Sequence, residues 1–186
     1  MVEAADIALQ RAPGRLRRFA FQKLREFDAL SWEALQNEAR LAEKPLCKLA
    51  IAGSDRDAEM IRVTRHNLEL AGLATAVDTK VQDILDVRPT APHGLIVSNP
   101  PYGVRLDEQD ALAAWYPQLG TWLKNHFCLA GRSICSAVTC ALAKLIHLSP
   151  KRRTPLYNGS LECRLFMIQM VAGSARREKP SADKQE

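Results

Sequence analysis

Ser98-Asn99-Pro100-Pro101-Tyr102-Gly103 is the stretch of this chain best suited to chemistry, and it follows the apolar run Leu95-Ile96-Val97. The run predicts a short buried strand, which two prolines cannot continue. Asn99 then stands at the C-terminal edge of a strand, where open α/β sheets hold their ligands. The prolines fix the backbone, so the Asn99 amide and the Pro100 carbonyl keep set directions. Tyr102 adds a flat aromatic face. Two acceptors beside an aromatic plate suit a planar amine, such as the exocyclic NH2 of a nucleobase, which would donate two hydrogen bonds and stack. The plainer alternative is a turn that ends a strand and packs a tyrosine.

This stretch resembles the Asn-Pro-Pro-Tyr motif of class I S-adenosylmethionine-dependent amino-methyltransferases. The longer string from Ser98 through Val104, Arg105 and Leu106 is similar to the RlmL-type ribosomal-RNA guanine-N2 methyltransferases, which carry an upstream THUMP RNA-binding domain. The resemblance runs from Val2 to about Val171. It implies an α/β fold, a Rossmann-like class I methyltransferase sheet with a C-terminal antiparallel hairpin. It also implies S-adenosyl-L-methionine as cofactor, ribosomal RNA as partner, and Asn99, Pro100, Pro101 and Tyr102 as catalytic residues, with Asn99 also beside the cofactor.

The family's first helix follows a glycine-rich loop, Asp-Pro-x-Cys-Gly-Ser-Gly-Thr, that closes a central strand and wraps the methionine end of the cofactor. Nothing like it occurs among the nine glycines here. The resemblance therefore implies a member lacking that central strand and loop, whether through a misassigned start, a gene fragment or a short form. The strand would lie between those ending near Gly53 and Ser98, so its loss would leave unpaired edges. The cofactor residues that remain are Asp55, Asp83 and Ile84. Asp55 ends the second strand, where an acid accepts from ribose hydroxyls; alternatively it only caps a turn. By resemblance Asp83 contacts the adenine amine and Ile84 packs on the ring; alternatively Asp83 is a turn residue at a strand end.

The elements that must carry these residues follow from pattern. Helices are expected over 2–10, from Ser31 (as N-cap) to about Ala42, over 58–71 with Asp57 as N-cap and Gly72 just past its end, over roughly 108–125, and over about 141–148. Strands are expected over 47–52, 76–81, 95–97 and 133–139. The Leu112, Trp115, Leu119, Trp122 and Leu123 stripe has helical spacing and reads as core. Asn158-Gly159 between two apolar runs predicts a hairpin. Residues 1–172 form the methyltransferase domain and 173–186 a disordered tail.

Basic residues number 26 against 21 acidic, a net charge of +5, which favours a polyanionic partner. Residues 11–25 hold six basic and no acidic residues, with Phe19 and Phe21 among them. They form either an RNA-contacting loop or a solvated connection over buried phenylalanines. Arg105 either meets an RNA phosphate or pairs with a nearby carboxylate, and Lys151-Arg152-Arg153 either touches RNA or is a solvated turn. Five cysteines without a Cys-x-x-Cys pair and four scattered histidines give no metal-ligand spacing, so no metal is expected. Cys47, Cys135 and Cys163 beside apolar runs suit reduced core thiols. With no signal peptide or membrane-spanning run, a cytoplasmic location is expected. Two competing functions remain: an amino-methyltransferase for DNA adenine or protein glutamine, and a non-catalytic RNA-binding remnant.

Overall fold

The computed structural model describes residues 1–15, 17–100, 106–127, 131–137, 145–158 and 161–170. They fall into two compact units, Met1–Asp86 and Val87–Glu186.

In the first unit, α1 (Val2–Ala8), α2 (Ala29–Ala42) and α3 (Ala58–Leu70) accompany two short strands, β1 (Ala52–Asp55) and β2 (Asp78–Val81). The strands are parallel, with Asp55 opposite Val81. The core is small: Ala5 and Leu9 from the α1 region, Leu68 from α3, and Leu73, Ala76 and Val77 from the turn into β2. Gly72 takes φ +67, which an L side chain resists, and it turns the chain out of α3 at the expected position.

Two expectations shift here. Helix α2 is capped by Asp28, not Ser31: the Asp28 carboxylate accepts from the Leu30 and Ser31 amides, and the Ser31 hydroxyl donates to it over 2.7 Å. That hydroxyl bond, with the amides, holds the Asp28 carboxyl below its ordinary range. The apolar run expected as a strand over 47–52 enters the sheet only at Ala52, although Leu49 N–H already bonds Ala76 O (2.9 Å). Cys47 is exposed rather than core, because it precedes the paired segment.

In the second unit, β3 (Gly94–Ser98), α4 (Leu106–Phe127), β4 (Gly131–Ala137), β5 (Arg152–Asn158) and β6 (Leu161–Gln169) build a four-stranded sheet of order β3-β4-β6-β5. The β3–β4 pair is parallel and the other two pairs are antiparallel. Asn158 faces Leu161 across the hairpin; Gly159 lies outside the described residues, as do the first half of the helix expected over 141–148 and the whole tail over 173–186. The C-terminal part of the α4 stripe supplies core, with Leu119, Trp122 and Leu123 buried and Tyr116 beside them, while Leu112 and Trp115 are half-buried. Trp122 Nε1–H donates to Val87 O over 3.1 Å, and this satisfies its polar edge. On β6, Phe166 and Ile168 are buried, with Met170 continuing the alternation just past its end, and Cys163 is buried as expected.

Strand β3 is not the buried strand its composition suggests. Leu95 is 58% and Val97 72% exposed. Leu95 and Val97 share one face of the strand, and that face is left uncovered among the described residues; β3 also has β4 as its one strand neighbour there, just as β1 has only β2. Apolar side chains on such a strand stay in water until a further layer covers them.

Candidate functional site

The first unit brings Asp55, Asp83 and Ile84 to one edge. Parallel pairing puts the C-terminal ends of β1 and β2 side by side, and one further bond, Gln82 N–H to Asp55 O (2.9 Å), carries the ladder past Val81. Asp55 therefore closes one strand while Gln82-Asp83-Ile84 leaves the other directly beside it. Asp55 is exposed; Asp83 and Ile84 are half-buried.

Each carboxylate also shapes its own turn. Asp55 Oδ1 accepts from Asp57 N–H (2.9 Å), and Asp57 Oδ1 accepts from Glu59 N–H (2.8 Å), which caps α3 as expected. Asp83 Oδ1 accepts from Leu85 N–H (2.9 Å), while its carbonyl accepts from Asp86 N–H (3.1 Å). These are Asx turns, in which a short acidic side chain bonds the backbone two residues on. The turn role and the ligand role are thus compatible, since one oxygen of each carboxylate has no hydrogen-bond partner among the described residues. The Asp-x-Asp spacing at 55 and 57 was the sequence signal for the first turn. The Gln82 bond has no such signal, because it is a backbone contact fixed by register.

Nearby charge is organised on α3. Arg62 donates twice to the Glu59 carboxylate, and these bonds hold the Glu59 carboxyl below its usual range. Arg65 Nε donates to Thr79 Oγ1 (2.8 Å) and so ties α3 to β2.

The second unit carries Asn99 and Pro100 immediately after β3. Asn99 is exposed and Pro100 buried, so the backbone is anchored just where the amide emerges. Pro101, Tyr102 and Arg105 lie outside the described residues. Among the described residues no three His, Cys, Asp or Glu side chains gather as a metal site, and no helix is long and apolar enough to cross a membrane.

Both units thus place chemistry-bearing residues at the C-terminal ends of parallel strands. Comparison with known proteins bears on the family and the fold. The family model of the RMKL-like methyltransferase domain matches residues 1–166. The chain is 33% identical to the ribosomal RNA large subunit methyltransferase K/L of Marinomonas sp. (strain MWYL1), over 96% of this chain and 25% of that protein. It is 35% identical to the protein of the same name from Shewanella frigidimarina (strain NCIMB 400), over 97% of this chain and 26% of that protein. The chain therefore spans about a quarter of the length of these curated relatives. Among solved structures, SMU.472 complexed with SAH superposes with a TM-score of 0.81 at 28% identity, covering 96% of this chain and 45% of that one. A possible methylase from Clostridium difficile 630 gives 0.80 at 28% identity, over 95% of this chain and 46% of that one. The α/β fold with its closing antiparallel hairpin is that of class I methyltransferases. The chain belongs to the RMKL-like methyltransferase family.

Proposed function

We propose that this chain is the part of a ribosomal-RNA methyltransferase that transfers a methyl group from S-adenosyl-L-methionine to the N2 amine of a guanine in large-subunit rRNA, in the cytoplasm. The observation that carries the reading is the common edge of Asp55, Asp83 and Ile84, in a chain whose relatives are named for methylating that RNA. The residues present fit the adenosine part of the cofactor. Asp55 and Asp83 each keep one carboxylate oxygen clear of their turns, suited to a ribose diol and an adenine amine respectively, and half-buried Ile84 offers an apolar surface to a ring.

When bound, S-adenosylmethionine supplies an electrophilic methyl. The chain's own task is positioning. Asn99 and the Pro100 carbonyl accept the two N–H bonds of the amine, which turns its lone pair toward the methyl. Tyr102 stacks on a guanine drawn out of the RNA. In-line displacement from such a geometry gains chiefly from orientation. No strong base is needed at the start, because the amine becomes acidic only after it is methylated.

The test is transfer of tritiated methyl to large-subunit rRNA, followed by nucleoside analysis. N2-methylguanosine is expected, and N6-methyladenosine would overturn the reading. Asn99→Ala is expected to remove the product while leaving the urea unfolding curve in place, since Asn99 is exposed.

A further inference from the structure

The loop between α1 and α2, which the reading above leaves without a role, is built as a binding surface. Its residues 11–25 hold six basic and no acidic residues. Arg11 and Arg15 turn inward to Asp6 and Glu43, at 3.9–4.0 Å. The remaining four point to solvent, and Arg18, Lys23 and Arg25 make no hydrogen bond or ion pair among the described residues. Arg17 lies over the Phe19 ring at 4.9 Å.

The same loop carries an aromatic cluster. Phe19 and Phe21 are stacked (5.4 Å, 21°), and both meet Trp32 of α2 edge-on, at 5.9 and 5.0 Å. Phe21 remains 40% exposed. The Phe19 ring is seated on Gly14, where φ is +72 and an added Cβ would lie 2.6 Å from Phe19 Cζ. Beside it, a cleft of about 180 Å³ opens between the loop and α2, lined by Arg15, Phe19, Trp32, Leu35 and Arg40. That is room for about six waters. Trp32 Nε1–H is buried at this place with no acceptor among the described residues, although a buried indole N–H ordinarily has one.

We infer that this loop and the adjoining face of α2 form a docking surface for single-stranded RNA, in which a base stacks on Phe21 while Arg18, Lys23 and Arg25 hold flanking phosphates. Charge decides the occupant. Glu43 also lines the cleft, but the loop itself brings six basic and no acidic residues to an exposed ring; that excess suits a polyanion, and only an unpaired strand offers both phosphates and open base faces. A duplex keeps its bases stacked inside. The surface lies wholly within the first unit.

The test is fluorescence anisotropy of the chain with a labelled single-stranded RNA of about 12 nucleotides, and with its blunt duplex, without cofactor. The single strand is expected to bind more tightly than the duplex. Arg18→Ala/Lys23→Ala/Arg25→Ala should weaken binding and flatten the slope of log K against log salt by about 2, at roughly 0.7 per phosphate contact. Phe21→Ala should cost about tenfold or more on the single strand and little on the duplex. Lys151→Ala/Arg152→Ala/Arg153→Ala, an equal loss of charge elsewhere, should leave the slope less altered. The charge triple changes only exposed side chains, so it reports even if Phe21→Ala fails to fold. Absent binding by the unmodified chain, an unchanged slope in the loop triple, or equal losses in both triples would overturn the proposal and give the face to a protein partner or to diffuse charge. Because the assay contains no cofactor, its failure would leave the methyl-transfer reading standing, and the converse holds as well.

Discussion

Gly120 gives the sharpest test of the packing in the second unit. It is buried within α4, where Gly→Ala would ordinarily stabilise a helix by about 1 kcal/mol. Here an added Cβ would lie 2.0 Å from Ile146 O and 2.9 Å from the carbonyl carbon. Carbon–oxygen contacts settle near 3.3 Å, so the backbone at Ile146 must retreat by about 1.3 Å. The obstacle is main chain, not the end of a flexible side chain, so the overpacking cost belongs at the upper end of its roughly 1–3 kcal/mol range. The clash wins over the propensity, and Gly120→Ala should destabilise by about 1–2 kcal/mol. In urea that lowers the midpoint by about 0.5–1 M at an ordinary slope. Gly72 is the control, with φ +67 and no atom within 4 Å of an added Cβ. Its Ala variant loses about 1–2 kcal/mol from backbone conformation alone, and Asn, which tolerates that conformation, should recover part of it. At Gly120, Asn should be worse than Ala. A Gly120→Ala chain that unfolds at equal or higher urea would refute the contact with Ile146 and the placement of α4 that depends on it.

Three further outcomes are expected. Asp55→Asn keeps an amide oxygen for the Asp57 N–H turn but removes the anion, so S-adenosylmethionine titration should show about 10- to 100-fold weaker binding with an unchanged urea midpoint; Asp55→Ala should lower both, and full affinity in Asn would refute the ligand role. Leu68→Ala, at a site 2% exposed in the first core, should cost about 2–5 kcal/mol of unfolding free energy. Asp28, whose carboxyl is held low chiefly by the Ser31 hydroxyl, should stabilise α2 fully at neutral pH. That contribution should be lost as pH falls through its depressed value. The stability gap to Asp28→Ala should therefore close in acid, whereas Asp28→Asn should keep the cap and lose the pH dependence.

What was legible in the sequence was whatever local chemistry specifies. Asn158-Gly159 between apolar runs named the hairpin, Asp57 and Gly72 bounded α3, and the α4 stripe named its buried face. The N-cap of α2 was misplaced by three residues because Asp28 and Ser31 are both good caps, and they bond each other. The start of β1 was misjudged because an apolar run does not reveal where its partner begins; β2 reaches only to Asp78. The exposure of Leu95 and Val97 was invisible for the same reason, since burial belongs to the neighbours of a strand and not to its composition. At the candidate site, position alone singled out Asp55 and Asp83. It did not show that each would also brace a turn, nor that a main-chain bond would join their strands.

That last bond, Gln82 N–H to Asp55 O, makes the two acids a single mechanical element. Neither strand end can fray without releasing the other, so the pair opens with one local free energy rather than two. The entropy of aligning two acceptors is then spent during folding and does not recur when a ligand arrives. Exchange of the Gln82 amide with deuterium reads that opening directly, one proton reporting on both strand ends of the proposed cofactor site.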